Sequence, residues 1–137
     1  MTEAQDIAHI LATCRTVAVV GLSPKPHRDS YEIAQYMQAQ GWRIVPINPA
    51  AQVREILGEP VYPSLMEAAK HVQIDLVDVF RNSANVPPVA DEAIAIGAKA
   101  LWLQLGIEHR VSAENARAAG LTVVQNRCLL VAHRRRT

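Results

Sequence analysis

The 137-residue sequence lacks the cysteine patterns that build metal sites or disulfide frameworks. Its two cysteines, Cys14 and Cys128, lie far apart, and neither belongs to a CxxC pair or to a Cys/His spacing that binds zinc. We therefore expect no metal site and no disulfide framework. Unpaired cysteines also fit a protein of the reducing cytoplasm, which is the predicted location.

Long apolar runs and an excess of one charge are missing as well. No apolar stretch approaches the ~20 residues of a transmembrane helix, and the first residues carry Glu3 and Asp6 instead of a basic segment followed by an apolar one. With 14 basic and 13 acidic residues, the formal net charge is +1. The basic residues 133–136 are expected to form a solvated tail. We therefore expect no signal peptide, no membrane partner and no nucleic-acid partner.

The sequence instead contains apolar, β-branched runs that alternate with segments of helical period. Its length is typical of one domain, so residues 1–137 are expected to form a single domain. Near-continuous apolar strands are typical of a parallel sheet buried on both faces, and strand–helix alternation predicts βαβ units. The predicted fold class is a Rossmann-like, doubly wound α/β fold, with a mainly parallel sheet of five or six strands and helices on both faces.

Boundary signals refine this prediction. Ser30 is expected to cap the first crossover helix, and Ser64 with Glu67 forms a potential capping box. A short strand at 60–62 is weak because Pro60 and Pro63 bracket it. The predicted strands cover residues 16–20, 43–47, 74–79, 100–103 and 121–124, and the predicted helices cover 2–13, 31–40, 64–70, 86–96, 112–119 and a short segment after Leu129.

The turn after the first strand is the most informative segment. It begins at Gly21, which permits backbone angles closed to other residues, and it leads into a helix whose free N–H groups face the ligand-binding edge of a doubly wound sheet. The turn also carries Lys25, His27 and Arg28. We interpret this combination as a binding site for anionic groups.

This turn departs from the dinucleotide fingerprint GxGxxG. Only its first glycine is matched, because Ser23 and Pro26 occupy the positions of the second and third. NAD-binding proteins also place an acidic residue at the end of the second strand, where this sequence has Asn48 and Pro49. A neutral Asn can bond a nucleoside without repelling a nearby 3′-phosphate, so NAD is the weaker prediction.

Six groups of short segments, in a characteristic order and spacing, span nearly the whole chain. They are Val20-Gly21-Leu22-Ser23 with Lys25-Pro26 and Ser30-Tyr31, Val45-Pro46-Ile47-Asn48-Pro49, Gly58 to Leu65, Asp78-Val79-Phe80-Arg81, Trp102 to Ile107, and Asn126-Arg127-Cys128. In these segments the sequence resembles the small stand-alone CoA-binding proteins, which are related to the CoA-binding domain of the succinyl-CoA synthetase α subunit.

The resemblance implies a set of binding residues for coenzyme A. The residues of the turn after strand 16–20 would surround the phosphates. The residues after strands 43–47 and 74–79 would approach the nucleotide or pantetheine. The glycine-containing turn after strand 100–103 would lie near the thiol. At the end of an apolar strand, the Phe80 ring can also face a base or ribose and the Arg81 guanidinium a phosphate. The candidate residues are Gly21, Ser23, Lys25, Pro26, Arg28, Ser30, Asn48, Pro49, Phe80, Arg81, Val86, Gln104 and Gly106.

The sequence shows no catalytic constellation. Its five histidines are scattered, and none is paired with an acid or cysteine at a spacing typical of a dyad or ligand set. Cys128, beside Arg127, is the one reactive candidate, although a lone cysteine is more often buried and inert. We therefore expect non-catalytic binding of CoA or an acyl-CoA by a carrier, sensor or regulatory module. An NAD(P)-linked oxidoreductase, a partner in thioester chemistry and an interaction protein without a ligand stay open as alternatives, as does homo-oligomerisation.

Overall fold

Five parallel strands form the main sheet of the computed structural model, which describes residues 2–136. In chain order, the strands are β1 (Thr16–Val20), β2 (Arg43–Ile47), β3 (Glu55–Ile56), β4 (Glu59–Pro60), β5 (Leu76–Val79), β6 (Ala100–Leu103) and β7 (Thr122–Val124). Strands β3 and β4 form a separate antiparallel pair. The other five form the sheet in the order β2-β1-β5-β6-β7, which confirms the predicted parallel architecture.

The direction in which the sheet grows reverses at β1. The chain moves outward from β1 to β2 and later returns to the other side of β1 with β5. Beyond β2, Tyr62 forms a single parallel bridge to Ile47. The strand predicted at 60–62 is therefore reduced to this bridge, because Pro60 belongs to the β3–β4 hairpin.

Helices cover both faces of the sheet. They are α1 (Glu3–Thr13), α2 (Asp29–Ala39), α3 (Leu65–Ala69), α4 (Val86–Ala95), α5 (Arg110–Ala118) and α6 (Leu129–Arg134), with a 3₁₀ turn at Ser83–Asn85. Buried residues of α3, α4 and α5 share one core cluster, and those of α1, α2 and α6 share the other. Within the described residues, no helix is long and apolar enough to cross a membrane.

The two cores follow from the alternation of side chains along each strand. In β1, Ala18 and Val20 face one cluster while Val17 and Val19 face the other. Trp102 is wholly buried in the second cluster, and its indole N–H donates to the Arg127 carbonyl at 2.8 Å. Because both faces of the central strands are covered, their apolar runs are nearly continuous in the sequence.

Two predictions of helix caps and the prediction of a solvated tail need correction. Helix α2 begins at Asp29 with Arg28 as its N-cap, so Ser30 lies inside the helix and does not cap it. Ser64 accepts from the Glu67 N–H as predicted, but the Glu67 carboxylate accepts a hydrogen bond from Lys70 Nζ at 2.8 Å. The basic segment 133–136 is not wholly a solvated tail, because His133 is buried in α6 and its Nδ1 lies 2.8 Å from the Tyr36 hydroxyl.

Candidate functional site

The candidate site lies at the carboxyl edge of the sheet, where β1 and β5 are neighbours. Val20 pairs with Val79 in the register of these strands, so the turns that follow them begin side by side. The first turn starts at Gly21 and the second at Phe80. In an open parallel sheet, the crevice at such a reversal of strand order is the usual place for a ligand.

Gly21 is required by the close approach of these two turns. Its φ is +89°, and a Cβ atom built on it would lie 2.5 Å from the Phe80 carbonyl oxygen. Its N–H donates to the Ile47 carbonyl at 2.8 Å, and the Phe80 N–H donates to the Val20 carbonyl at 2.9 Å. Gly21 therefore holds the ends of three strands together where any side chain would force the turns apart.

Short-range hydrogen bonds hold the basic turn in place. The Ser30 hydroxyl accepts from the Ser23 N–H at 3.0 Å, and the Ser23 hydroxyl accepts from the Lys25 N–H at 3.1 Å. The Arg28 N–H donates to the Lys25 carbonyl at 3.0 Å. Ser30 is buried, so its hydroxyl has a structural role that differs from the predicted helix cap.

Asn48 ties this turn to the second strand. Its Nδ2 donates to the Leu22 carbonyl at 2.9 Å, and its Oδ1 accepts from the Ala50 N–H at 2.9 Å. Both ends of the amide are thus used by the backbone, in an Asx-type turn. Each end of the amide has capacity for a second hydrogen bond, so a contact between Asn48 and the ligand stays a prediction, while its two backbone bonds support the shape of the site.

An open cleft of about 560 Å³ lies over this turn. Lys25, His27 and Arg28 are exposed at its wall, and Asp29 is the one acidic side chain among the lining residues. None of the ion pairs found within residues 2–136 includes Lys25, Arg28 or Arg81. The residues that line the cleft are Gly21, Ser23, Lys25, His27, Arg28, Asp29, Ser30 and Phe80.

The first turn of α2 supplies backbone donors to the same cleft. Arg28 makes no side-chain capping bond, and the first N–H bonded to a carbonyl at the start of this helix is that of Glu32, which reaches the Arg28 carbonyl. The N–H groups at the start of an α-helix have no acceptor within the helix. The 11-residue length of α2 adds the positive end of a helix dipole. A close backbone approach, free N–H groups and unpaired cations together fit a phosphate-bearing ligand.

Other predicted residues lie outside this cleft. Arg81 follows Phe80 and is half-buried at the same edge, while Pro26 and Pro49 are exposed in the turns after β1 and β2. Val86 is the first residue of α4 and is wholly buried in the core, so its side chain does not face the cleft. Its predicted contact with a ligand has no support from the side-chain position.

Gln104 and Gly106 lie farther along the edge, after β6. Gln104 is buried, and its Oε1 accepts from the Leu129 N–H at 3.2 Å, so it caps the start of α6. Gly106 is exposed with a φ of +85°, and its N–H donates to Asn126 Oδ1 at 2.7 Å. These two residues therefore join the turns after β6 and β7 and do not line the cleft at Gly21.

Sequence reasoning missed an unusual carboxyl group next to the site. Asp78 lies in β5, is wholly buried, and has no hydrogen-bond partner among the described residues. Burial raises the pKa of the Asp78 carboxyl well above its usual value. Its register partners are Val19 and Trp102. One acid in an otherwise apolar strand was the signal in the sequence.

Comparison with known proteins identifies the family. The model of the CoA binding domain family matches residues 15–134. This chain belongs to that family. The CoA-binding domain is 37% identical to the YneT protein of Bacillus subtilis (strain 168) over 128 residues, which cover 93% of this chain and 92% of YneT.

Solved structures agree with this assignment. A hypothetical protein from Pyrococcus horikoshii OT3 is 35% identical, with a TM-score of 0.89 over 98% of this chain and 92% of that one. The dinucleotide-forming acetyl-coenzyme A synthetase 1 of Ca. Korarchaeum cryptofilum matches with a TM-score of 0.73 over 86% of this chain and 27% of its own, at 22% identity. At that identity, the synthetase shows only that the fold is shared. This CoA-binding domain is thus similar along nearly its full length to small stand-alone proteins.

Proposed function

We propose that this chain binds CoA or an acyl-CoA without catalysing a reaction, as a carrier, sensor or regulatory module. The observation that carries the proposal is the cluster of unpaired basic side chains over the Gly21 turn at the reversal of strand order. The family supplies the ligand class, and the cleft supplies the charge and shape that such a ligand requires.

The charge of the cleft favours CoA over NAD. CoA carries a pyrophosphate and a separate 3′-phosphate, whereas NAD carries only the pyrophosphate. Lys25 and Arg28 at the cleft wall, with Arg81 after the neighbouring strand, bring three positive charges against the one negative charge of Asp29, so the additional phosphate of CoA adds attraction. No acidic residue stands at the end of β2 to hold the ribose hydroxyls of NAD, because Asn48 occupies that position.

Calorimetric titration with CoA, 3′-dephospho-CoA, NAD and ATP tests the proposal. We expect CoA to bind tightest, and loss of the 3′-phosphate to weaken binding by about ten- to a hundredfold if one charge-assisted bond of roughly 1.5–3 kcal/mol is lost. Binding should also weaken as salt rises. Equal or tighter binding of NAD would favour the oxidoreductase alternative.

Recovery of intact acetyl-CoA after incubation with the protein tests whether the binding is non-catalytic.

Substitutions locate the site. Lys25→Ala and Arg81→Ala should each weaken CoA binding by about ten- to a hundredfold if each side chain meets a phosphate. Lys70→Ala is the matched control, because Lys70 is an exposed lysine at the end of α3 whose partner is Glu67. If both site variants bind CoA like the parent while circular dichroism shows intact folds, the proposed site is wrong.

A further inference from the structure

A second, larger concavity lies between α1 and α6. This groove has a volume of about 910 Å³, which is within the range of roughly 300–1,000 Å³ that is common for small-molecule sites. Its lining is mainly apolar: one face of α1 contributes Ala4, Ile7, Ala8, Leu11 and Ala12, and Leu105, Cys128, Val131 and Ala132 contribute the rest. The α1 residues recur at intervals of three and four, so they form one continuous apolar stripe.

Two large apolar side chains in this groove are exposed to solvent. Leu105 is 70% exposed and Val131 is 37% exposed. Leu105 follows the end of β6 and is the most exposed large hydrophobic residue of the described chain. Exposed apolar side chains that line the same concave surface are typical of a binding site.

The groove opens on the same edge of the sheet as the phosphate cleft. Its upper end is formed by the turns after β6 and β7, which are joined by the bond from the Gly106 N–H to Asn126 Oδ1 and by the Arg127 N–H donating to the Leu103 carbonyl at 3.4 Å. Neighbouring strands lie about 4.8 Å apart, so the turn after β6, which carries Leu105, is two spacings, roughly 10 Å, from the Gly21 turn after β1. A pantetheine arm has the length of about four extended residues, roughly 14 Å. An arm that starts at the Gly21 turn therefore reaches Leu105.

The rim of the groove also suits a long apolar chain. Arg127, Arg135 and Arg136 stand around it. The methylene stems of arginine can cover apolar surface while the guanidinium groups stay in water. Arg127 is held at the upper end by its ion pair with Glu3 at 2.8 Å, and Arg136 is held at the lower end by a bond to the His133 carbonyl at 2.6 Å.

From these observations we infer that the groove between α1 and α6 binds the acyl chain of a medium- or long-chain acyl-CoA. The inference rests on the proposed function, because the chain reaches the groove only when the phosphates occupy the cleft at Gly21. It names the ligand class: thioesters whose acyl group is long enough to lie along α1. The reason to prefer this occupant is that Phe80 of the cleft and Leu105 of the groove follow neighbouring strands, β5 and β6, at one edge of the sheet.

Titration with CoA and with acetyl-, octanoyl-, decanoyl- and dodecanoyl-CoA, each below its micellar concentration, tests the inference. A fully buried methylene contributes about 0.8 kcal/mol, which is about a fourfold gain in affinity. Because the groove is open on one side, we expect a gain of about two- to fourfold per methylene, or at least tenfold from octanoyl- to dodecanoyl-CoA. Excess free CoA should displace the bound acyl-CoA, since both ligands share the phosphate cleft.

Two pairs of variants distinguish binding of the acyl chain in the groove from nonspecific hydrophobic binding elsewhere on the protein. Ala8→Gln places an amide in the groove, whereas His9→Gln places the same residue on another face of α1. Val131→Ser removes apolar surface from the groove, whereas Val111→Ser removes it from α5, where Val111 is 53% exposed. Ala8→Gln and Val131→Ser should reduce the gain from chain length severalfold and leave the affinity for free CoA unchanged. The two controls should change neither.

Each outcome bears on a different claim. Failure of CoA itself to bind would overturn the proposed function and the inference with it. Tight CoA binding with no dependence on chain length, or with a dependence that both groove variants retain, would overturn the acyl groove alone. Sedimentation supplies a further check: a dimer that Ala8→Gln dissociates, without a gain from chain length, would show that a second copy of the chain covers the groove.

Discussion

Replacing Gly21 by alanine tests the contact that closes the candidate site. Two penalties should combine in this variant. Alanine at a φ of +89° is strained by about 1–2 kcal/mol, and its Cβ would stand 2.5 Å from the Phe80 carbonyl oxygen, closer than such atoms approach in proteins. The turn or the end of β5 must therefore move, and overpacking of this kind costs about 1–3 kcal/mol.

Gly41 provides a matched control. Its φ is +93°, close to that of Gly21, but a Cβ atom there meets nothing within 4 Å. Gly41→Ala should therefore lose only the backbone strain, about 1–2 kcal/mol, while Gly21→Ala should lose about 2–5 kcal/mol in total. The difference between the two variants isolates the close approach of the turns after β1 and β5.

Urea denaturation followed by circular dichroism measures both free energies of unfolding, and calorimetry measures CoA binding by the same samples. We expect Gly21→Ala to weaken CoA binding at least tenfold, an effect worth about 1.4 kcal/mol, and Gly41→Ala to leave it unchanged. Equal losses of unfolding free energy in the two variants would refute the argument, because they would mean that the Phe80 carbonyl moves away from the new Cβ atom at no energetic cost.

Three further predictions concern polar groups near the site. Burial raises the pKa of Asp78 in the folded state. The free energy of unfolding should therefore fall as pH rises from about 4 toward that raised pKa, by up to about 1.4 kcal/mol per pH unit. Asp78→Asn should flatten this slope in urea titrations at several pH values. Ser30→Ala leaves the Ser23 N–H without its acceptor and should cost about 1–3 kcal/mol in the same assay; a neutral result would mean that the turn finds another acceptor. Asp29→Asn removes the one acid that lines the cleft and should tighten CoA binding severalfold at low salt, an effect that must disappear at high salt if it is electrostatic.

The strands could be predicted because the apolar pattern that each one requires lies within its own short segment of sequence. The runs at Thr16–Val20, Arg43–Ile47 and Ala100–Leu103 have the predicted bounds, since a strand covered on both faces needs a continuous apolar sequence. The β3–β4 hairpin was not predicted. Its two-residue turn has positive φ at both Leu57 and Gly58, and leucine is not a residue that signals such a turn.

The position of the site could be predicted from the sequence, but the role of each residue in it was harder to predict. Gly21, Lys25 and Arg28 stand in the cleft because the strand order fixes where the first turn lies. The Asn48 amide bonds to a carbonyl 26 residues away, and the Ser30 hydroxyl bonds across the turn to the Ser23 N–H, so only the folded chain shows these partners. Asp78 illustrates the same limit, because its lack of a partner depends on what three strands and the helices above them place around it.

The central position of β1 has a consequence for how the protein acquires its site. Strand β1 pairs with β2 on one side and with β5 on the other, and the Asp75 carboxylate that accepts from the Arg15 N–H comes from 60 residues farther along the chain. Contacts of such long sequence separation form slowly, because loop closure precedes their gain. Phe80 completes the binding turn through the same pairing. A chain with only its first half folded therefore has the glycine turn but not its second wall, so the ability to bind ligand should appear together with the last strands and should report complete folding during refolding.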